Sequence, residues 1–152
     1  MGSRRKGRIL AFQALYAWDM ADDKKTALKD LLDFSWETKD SSIRETDTGE
    51  NSVSAFSRLL IIGTVENLKK VDTIIRSHLV HWDFSRLNTV DRALLRLSVY
   101  ELLFQTAPPS VVIDEAVDIS KIYGTDDSYR FINGVLDGVR KTIQNAERED
   151  NT

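Results

Sequence analysis

Apolar residues recur at intervals of three and four along most of this chain, which is the spacing of one face of an α-helix. This pattern predicts a first helix over about 3–20 and a second that starts at Asp23 or Thr26. A longer helical pattern runs over 54–79, and a break in it near Lys70 is left open. The chain is therefore predicted to be built from amphipathic helices.

The segment over 90–104 is apolar on almost every side of its predicted helix. A helix of this kind usually lies in the centre of a helical domain. Glu101 interrupts it, and this carboxylate either marks one wet side of the helix or belongs to a partner interface. The proline pair 108–109 cannot continue a helix, and Ser110 is predicted to cap the next one, which runs to residue 123.

Two stretches lack the apolar pattern. Residues 38–52 contain one large apolar side chain and predict a surface loop, and residues 145–152 predict a polar, frayed tail. The segment before the loop is too short to fold alone. With a last helix starting within 126–128, the sequence predicts a single all-α domain over 1–152 with six or seven helices.

Composition agrees with a globular helical domain. The chain has 152 residues, of which 41% are apolar and 30% charged. It has no cysteine, which excludes disulfides, thiol catalysis and cysteine-bound zinc. No apolar run reaches the roughly 18 residues of a membrane-spanning helix, and the basic N-terminus is not followed by the apolar segment of a secretory leader. We therefore expect a cytoplasmic protein.

The charge is distributed unevenly. The net charge is −3, yet residues 1–18 carry four basic residues and no acid, whereas the remaining chain carries 17 basic and 24 acidic residues. Cations followed by Phe12, Tyr16 and Trp18 fit single-stranded RNA, which is bound through phosphates and stacked bases. The alternative is a solvated terminus followed by core aromatics, and Trp18 in particular fits the core.

A second candidate site is G-T-D-D-S-Y-R-F-I-N-G-V-L-D, residues 124–137. It begins as a helix stop and an acidic turn, and Asp127 or Ser128 can cap the helix that follows. Capping alone explains these residues. Phe131 lies off the apolar face of that helix, however, which leaves its ring free to stack on a base.

Other polar clusters have simpler explanations. His78 and His81 have a spacing that can hold a metal ion, but ordinary hydrogen-bonded histidines are the favoured interpretation. Pairs of acids lie near predicted helix starts, where capping and the helix dipole explain them. The chain has no glycine-rich phosphate loop, no H-E-x-x-H and no G-x-S-x-G motif. We expect no catalytic residue, no metal and no cofactor.

Four segments carry a family resemblance. They are F-Q-A-L-Y-A-W, V-D-R-A-L-L-R-L-S-V-Y-E-L, V-I-D-E-A-V-D-I-S-K and the segment 124–137. In this order they resemble the NusB family of bacterial transcription antitermination factors. The resemblance covers residues 4–20 and about 55–140. One such segment would be weak, but four in the same order are specific.

The resemblance implies an all-α fold of two packed helical subdomains. It implies binding to single-stranded boxA RNA of nascent ribosomal-operon transcripts, together with NusE, a small-subunit ribosomal protein, in a transcription elongation complex with RNA polymerase. Family members differ in whether they form homodimers, so the oligomeric state is left open. The implied RNA contacts are Arg4, Arg5, Lys6, Arg8, Tyr16, Asp127, Arg130 and Phe131. The implied protein-partner residues are Asp91, Arg96 and Glu101.

Two other function classes compete with this interpretation. A related helical fold forms the RNA-binding front end of ribosomal-RNA cytosine methyltransferases, but that enzyme would need a further domain with a cofactor-binding sheet and cysteines. A helical adaptor that binds only protein is the second alternative. The basic N-terminus favours RNA over the adaptor, and we expect a non-enzymatic protein.

Overall fold

The computed structural model describes residues 2–33 and 48–150. Within these ranges the chain forms seven α-helices and a short 3-10 turn at Phe84–Arg86, with no strand. The all-α prediction is confirmed. The helices are α1 (Ser3–Met20), α2 (Lys24–Leu32), α3 (Thr48–Glu66), α4 (Leu68–Ser77), α5 (Thr89–Phe104), α6 (Pro109–Tyr123) and α7 (Ser128–Asp150).

Helix α5 lies at the centre of the domain, as its apolar sequence predicts. It contacts α1, α3, α4, α6 and α7. The first three helices form one group, in which α1 packs against α2 and α3, and the last four form the second. Helix α5 belongs to the second group and also packs against α1 and α3, so it joins the two groups. Its most deeply buried apolar side chains, each at most 1% exposed, are Ala93, Leu94, Leu95, Leu97 and Val99.

Helix starts follow local capping chemistry. The Asn88 side chain accepts a hydrogen bond of 2.8 Å from the Asp91 amide and so caps α5. The Asp23 side chain accepts one from the Thr26 amide at the start of α2. Helix α6 begins at Pro109, so the predicted Ser110 cap is wrong. Proline at the first helical position has a suitable φ and leaves no amide that needs an acceptor.

Three boundaries differ from the sequence prediction. Helix α3 begins at Thr48, so residues 48–52 of the predicted loop are helical, while residues 38–47 lie outside the described residues. The break before α4 lies at Asn67, not at Lys70, and both the amide and the side chain of Asn67 donate to the Gly63 carbonyl. Helix α7 continues to Asp150 through residues predicted as a frayed tail. Ala, Glu and Arg have high helix propensity, which explains a helix that extends beyond its packed part.

Glycine permits the close contact between α3 and α5. A Cβ at Gly63 would overlap the phenol of Tyr100, which is itself 7% exposed and belongs to the core. A larger residue at this position would force the two helices apart. The sequence therefore uses glycine within α3, at some cost in helix propensity, to bring the two helix groups into contact.

The central position of α5 gives a test of stability. Leu97 is 1% exposed, so Leu97→Ala leaves a cavity and is expected to lower the free energy of unfolding by about 2–5 kcal/mol. Leu59→Ala on α3, where the leucine is 61% exposed, is the matched control and should change stability by less than about 0.5 kcal/mol. Denaturant titration of both variants measures the difference. Equal midpoints would contradict the central position of α5.

Candidate nucleic-acid interface

Four of the five basic residues predicted to contact RNA lie on the first two turns of α1, and two of these four are exposed. Arg4 and Lys6 are exposed. The guanidinium of Arg4 lies 4.2 Å from the centre of the Phe56 ring, a contact that positions the side chain without neutralising its charge. Arg4 and Lys6 therefore present positive charge that a phosphate can approach.

Arg5 forms ion pairs with α6 and is also partly exposed. Its Nε lies 2.8 Å from Glu115 Oε2, and its Nη2 lies 2.7 Å from Asp118 Oδ2. The hydrogen bond to Glu115 is the main reason that the pKa of Arg5 is raised above its ordinary value. The Arg5 side chain remains 33% exposed. Arg5 thus links α1 to α6 and offers one accessible edge to a ligand.

Arg8 is a structural residue in this fold. It is 5% exposed, and its Nε and Nη2 donate to the two carboxylate oxygens of Glu101 at 2.9 and 3.0 Å. The Thr106 hydroxyl donates to the same carboxylate at 2.7 Å. Glu101 is 1% exposed, so the expectation of a wet side or a partner surface at this residue is wrong. Glu101 is buried because it pairs with Arg8, which lies 93 positions earlier in the chain and so gives no local signal in the sequence.

The aromatic residues of α1 are divided between surface and core. Tyr16 is 38% exposed, whereas Trp18 is buried, as the core interpretation predicts. Phe12 is also buried, and its ring lies 5.4 Å from that of Tyr123 at the end of α6. Tyr123 is itself partly exposed, so a second aromatic ring lies on the surface beside α1.

Ion pairs fix the direction of α1 against α5. Arg8, near the start of α1, pairs with Glu101 near the end of α5. Asp19, near the end of α1, pairs with Arg92 near the start of α5, at 2.7 Å. The two helices are therefore antiparallel. The basic end of α1 lies beside the C-terminal end of α5, and Tyr16 lies toward its N-terminal end.

The start of α7 lies at the same end of the domain as Tyr16. Ser128, the first residue of α7, is close enough to Asp91 in the first turn of α5 to affect the pKa of that carboxyl group. The predicted RNA contacts consequently fall into two groups. From Arg4 to Tyr16 the distance along α1 is roughly 18 Å, at about 1.5 Å per helical residue. Several nucleotides of extended RNA would be needed to contact both groups.

The group at the start of α7 combines charge with aromatic rings. Asp127 and Arg130 are exposed, and Arg130 Nε donates to the Tyr129 hydroxyl at 2.9 Å. Phe131 is half-buried, because it packs against the core and lies 6.1 Å from the Trp82 ring, measured between ring centres. The sequence interpretation of Phe131 as partly exposed is correct. No periodic pattern of apolar residues surrounds Trp82, so the sequence alone indicates no role for its ring.

Ser128 and Gly124 shape the turn before α7. The Ser128 hydroxyl accepts a hydrogen bond of 2.9 Å from the Thr125 amide, and the side chain is 1% exposed. A Cβ at Gly124 would lie 2.6 Å from the Ser128 side chain, so the close approach requires glycine. These two residues serve the local structure of the turn, and Asp127 keeps its carboxylate at the surface.

The predicted protein-partner residues are buried. Arg96 donates to both carboxylate oxygens of Asp72 on α4, at 2.9 and 3.0 Å, and its Nη1 lies 3.3 Å from Asp19 on α1. Its guanidinium therefore joins three helices and presents almost no surface to a partner. Asp91 is 6% exposed, and its burial raises the pKa of its carboxyl group, an effect that contacts with Ser128 and Asn88 partly offset.

The two histidines are not arranged as a metal site. The Nδ1 of His78 lies 2.9 Å from the Ile74 carbonyl, and its Nε2 lies 2.9 Å from the Thr142 hydroxyl. His78 thus joins α4 to α7, while His81 is exposed. Among the described residues no group of three metal-ligating side chains is found. Within the same residues no helix is both long and apolar enough to cross a membrane.

Comparison with known proteins identifies the family. The sequence model of the NusB family matches residues 5–141. The chain belongs to the NusB family. The NusB-family protein of Treponema pallidum strain Nichols, a transcription antitermination protein, is 51% identical over 140 residues, covering 91% of this chain and 93% of the relative. The corresponding protein of Treponema denticola is 48% identical over 138 residues, covering 90% and 95%.

Solved NusB structures share the fold. NusB of T. maritima is 35% identical to this NusB-family chain, with a TM-score of 0.72 and coverage of 91% of this chain and 90% of that one. A second match is NusB in a complex of the antitermination factors NusB and NusE with double-stranded RNA. It is 28% identical, with a TM-score of 0.73 and coverage of 93% and 98%.

The buried Arg8–Glu101 pair gives a prediction for the NusB-family chain. Arg8→Met leaves the Glu101 carboxylate buried without its cation and is expected to cost about 3–5 kcal/mol of stability. The double variant Arg8→Met/Glu101→Leu removes both charges and should recover most of this loss. Arg5→Ala, which breaks a partly exposed pair, should cost about 1 kcal/mol or less. Thermal and denaturant unfolding measure all three, and a double variant as unstable as Arg8→Met would refute this account.

The buried Asp91 carboxyl group gives a prediction of pH dependence. Burial raises its pKa in the folded state, so the folded protein binds this proton more tightly than the unfolded chain does. The stabilisation by the neutral form is present at low pH. It is lost as pH rises through the raised pKa of the folded state. Asp91→Asn should therefore be more stable than the parent chain at neutral pH, and the difference should shrink on acidification.

Asp23 supplies the control of opposite sign. Hydrogen bonds from Thr26 lower the pKa of the Asp23 carboxyl group, so its stabilisation is present at neutral pH and is lost as pH falls. Asp23→Asn should be less stable than the parent chain at neutral pH. Unfolding curves at several pH values compare the two variants. If both substitutions changed the stability at neutral pH in the same direction, the causes assigned to the two pKa shifts would be wrong.

Proposed function

We propose that this chain is an RNA-binding antitermination factor that acts by binding and without catalysis. Together with a small-subunit ribosomal protein acting as NusE, it binds the boxA element of nascent ribosomal-operon transcripts in the cytoplasm. The bound pair joins the transcription elongation complex and keeps RNA polymerase processive, which promotes ribosomal RNA production. Family membership and the solved complex of NusB and NusE with RNA support this proposal.

The observation that carries the proposal is the exposed basic start of α1. Arg4 and Lys6 are exposed cations on a chain that is acidic overall, with a net charge of −3. A phosphate backbone is attracted to this end and repelled by much of the remaining surface. The cations therefore supply both affinity and a defined docking position, but they do not distinguish sequences.

Discrimination of boxA falls to the group at the other end of α1. Tyr16 and Phe131 offer aromatic surface for unpaired bases. The exposed Asp127 carboxylate can accept a hydrogen bond from an exocyclic amine, and the exposed Arg130 in the first turn of α7 can contact a neighbouring phosphate. This division assigns affinity to one end of α1 and sequence recognition to the other.

A binding assay with and without NusE tests the function directly. Single-stranded RNA with a boxA element should bind more tightly than a scrambled RNA of the same composition, and NusE should increase the difference. An in vitro transcription assay through a terminator should then show more read-through on boxA templates. Equal binding to both RNAs, with NusE bound normally, would favour the adaptor that recognises protein alone.

The salt dependence of binding tests the basic end of α1. For single-stranded RNA the logarithm of affinity falls with the logarithm of salt concentration by roughly 0.7 for each phosphate neutralised. Arg4→Ala/Lys6→Ala should therefore reduce the magnitude of this slope by about 1.4, with an unchanged unfolding midpoint. Deletion of residues 1–8 is not an equivalent test, because it removes the buried Arg8. An unchanged slope in the double variant would place the phosphate contacts elsewhere.

A further inference from the structure

We propose that Trp82 is a second base-stacking platform of the RNA interface, beside Phe131. This inference rests on the proposed function and adds to it a residue outside the set implied by the family resemblance. Trp82 follows α4, in the segment that leads to the 3-10 turn. It places a large aromatic ring next to the group at the start of α7.

The geometry of the ring pair leaves the indole open to a ligand. Trp82 is 62% exposed, whereas Phe131 is half-buried and packs against the core. The two ring centres lie 6.1 Å apart and the ring planes are inclined by 62°. Inclined rings do not cover one another's faces as parallel stacked rings do. Phe131 therefore supports the indole from one side, and Trp82 carries the greater accessible aromatic surface.

The chain on both sides of Trp82 is held in place. On one side Leu79 packs against the core, and on the other Phe84 is buried beneath the Arg76 guanidinium, which lies 4.5 Å from its ring centre. The Asp83 carboxylate accepts a hydrogen bond of 3.1 Å from the Ser85 amide and so fixes the turn. A ring on an anchored segment loses little conformational entropy when a base stacks on it.

The charges around Trp82 favour RNA as the occupant. Residues 76–86 contain two arginines and one acid, and Asp127 is an exposed acid that lies with Arg130 at the start of α7. Arg76 and Arg86 are exposed, as is Arg130 on the neighbouring helix. An aromatic ring flanked by cations suits a nucleotide, whose base stacks while its phosphate meets the positive charge. The surface is also continuous with Phe131 and hence with the proposed RNA contacts.

Substitution at Trp82 tests the proposal in the 152-residue chain. Trp82→Ala should weaken binding to a single-stranded boxA oligonucleotide by roughly five- to one-hundredfold, the usual effect of losing one stacked base. Trp82→Phe should lose less, because a ring remains. Val80→Ala is the matched control, since Val80 is 83% exposed on the same segment but has no ring, and it should bind as the parent chain does.

An abasic scan of the oligonucleotide then identifies the stacked base. Removing that base should weaken binding to the parent chain and should have little further effect on Trp82→Ala. If each abasic position weakened both proteins equally, no base would stack on Trp82 and the proposal would fail. Binding of NusE in the absence of RNA should be unchanged in Trp82→Ala, and a loss confined to NusE would make Trp82 a protein contact instead.

Two measurements separate the possible failures. If the parent chain bound no boxA RNA even with NusE, the proposed function itself would be wrong. If the parent chain bound RNA and Trp82→Ala bound it equally well, only the role of Trp82 would be overturned. If Trp82→Ala lowered the unfolding midpoint but bound RNA as the parent chain does at a temperature where both proteins are folded, the ring would have only a structural role.

Discussion

The arrangement of this domain depends on the ion pair that Arg8 of α1 forms with Glu101 of α5. Both side chains are buried, and two hydrogen bonds of 2.9 and 3.0 Å satisfy the carboxylate from one side while Thr106 completes it from another. Burying two charges is costly, so the gain lies less in stability than in geometry, because any other placement of α1 would leave both charges unpaired. Arg4 and Lys6 lie on the same two turns of α1, so the ion pair also fixes where these exposed cations lie.

A second set of charges performs the same task at the other end of α1. Asp19 lies between Arg92 and Arg96 of α5, and Arg96 reaches onward to Asp72 of α4. Charged residues that the family resemblance implies as a partner surface are instead used to hold helices together. A protein partner that docks on this region would therefore sense the positions of α1 and α4 through helix packing, and its own contacts would be made by the exposed residues around the network.

Patterns among neighbouring residues predict most of the helices. What they do not predict depends on contacts between residues that are far apart in the chain. The apolar spacing predicts α1, and Asn88 marks the start of α5, since both depend on residues within one or two turns. The role of Glu101 was not predictable in this way, because its partner is 93 residues away and a lone carboxylate in an apolar helix has no local explanation. The exposure of Trp82 was not predictable for a related reason: it depends on how the segment after α4 packs beside Phe131 of α7, which no periodic pattern encodes.

Arg5 has a consequence for how the surface selects among polyanions. Its guanidinium is already held by the carboxylates of Glu115 and Asp118, which act as an internal competitor for any incoming phosphate. A weakly or transiently bound anion gains little by displacing them. In the proposed function, a chain of phosphates anchored on Arg4 and Lys6 would present a high local concentration at Arg5 and would complete the exchange. In the proposed RNA interface, this competition would favour extended, correctly placed strands over brief encounters with other anions.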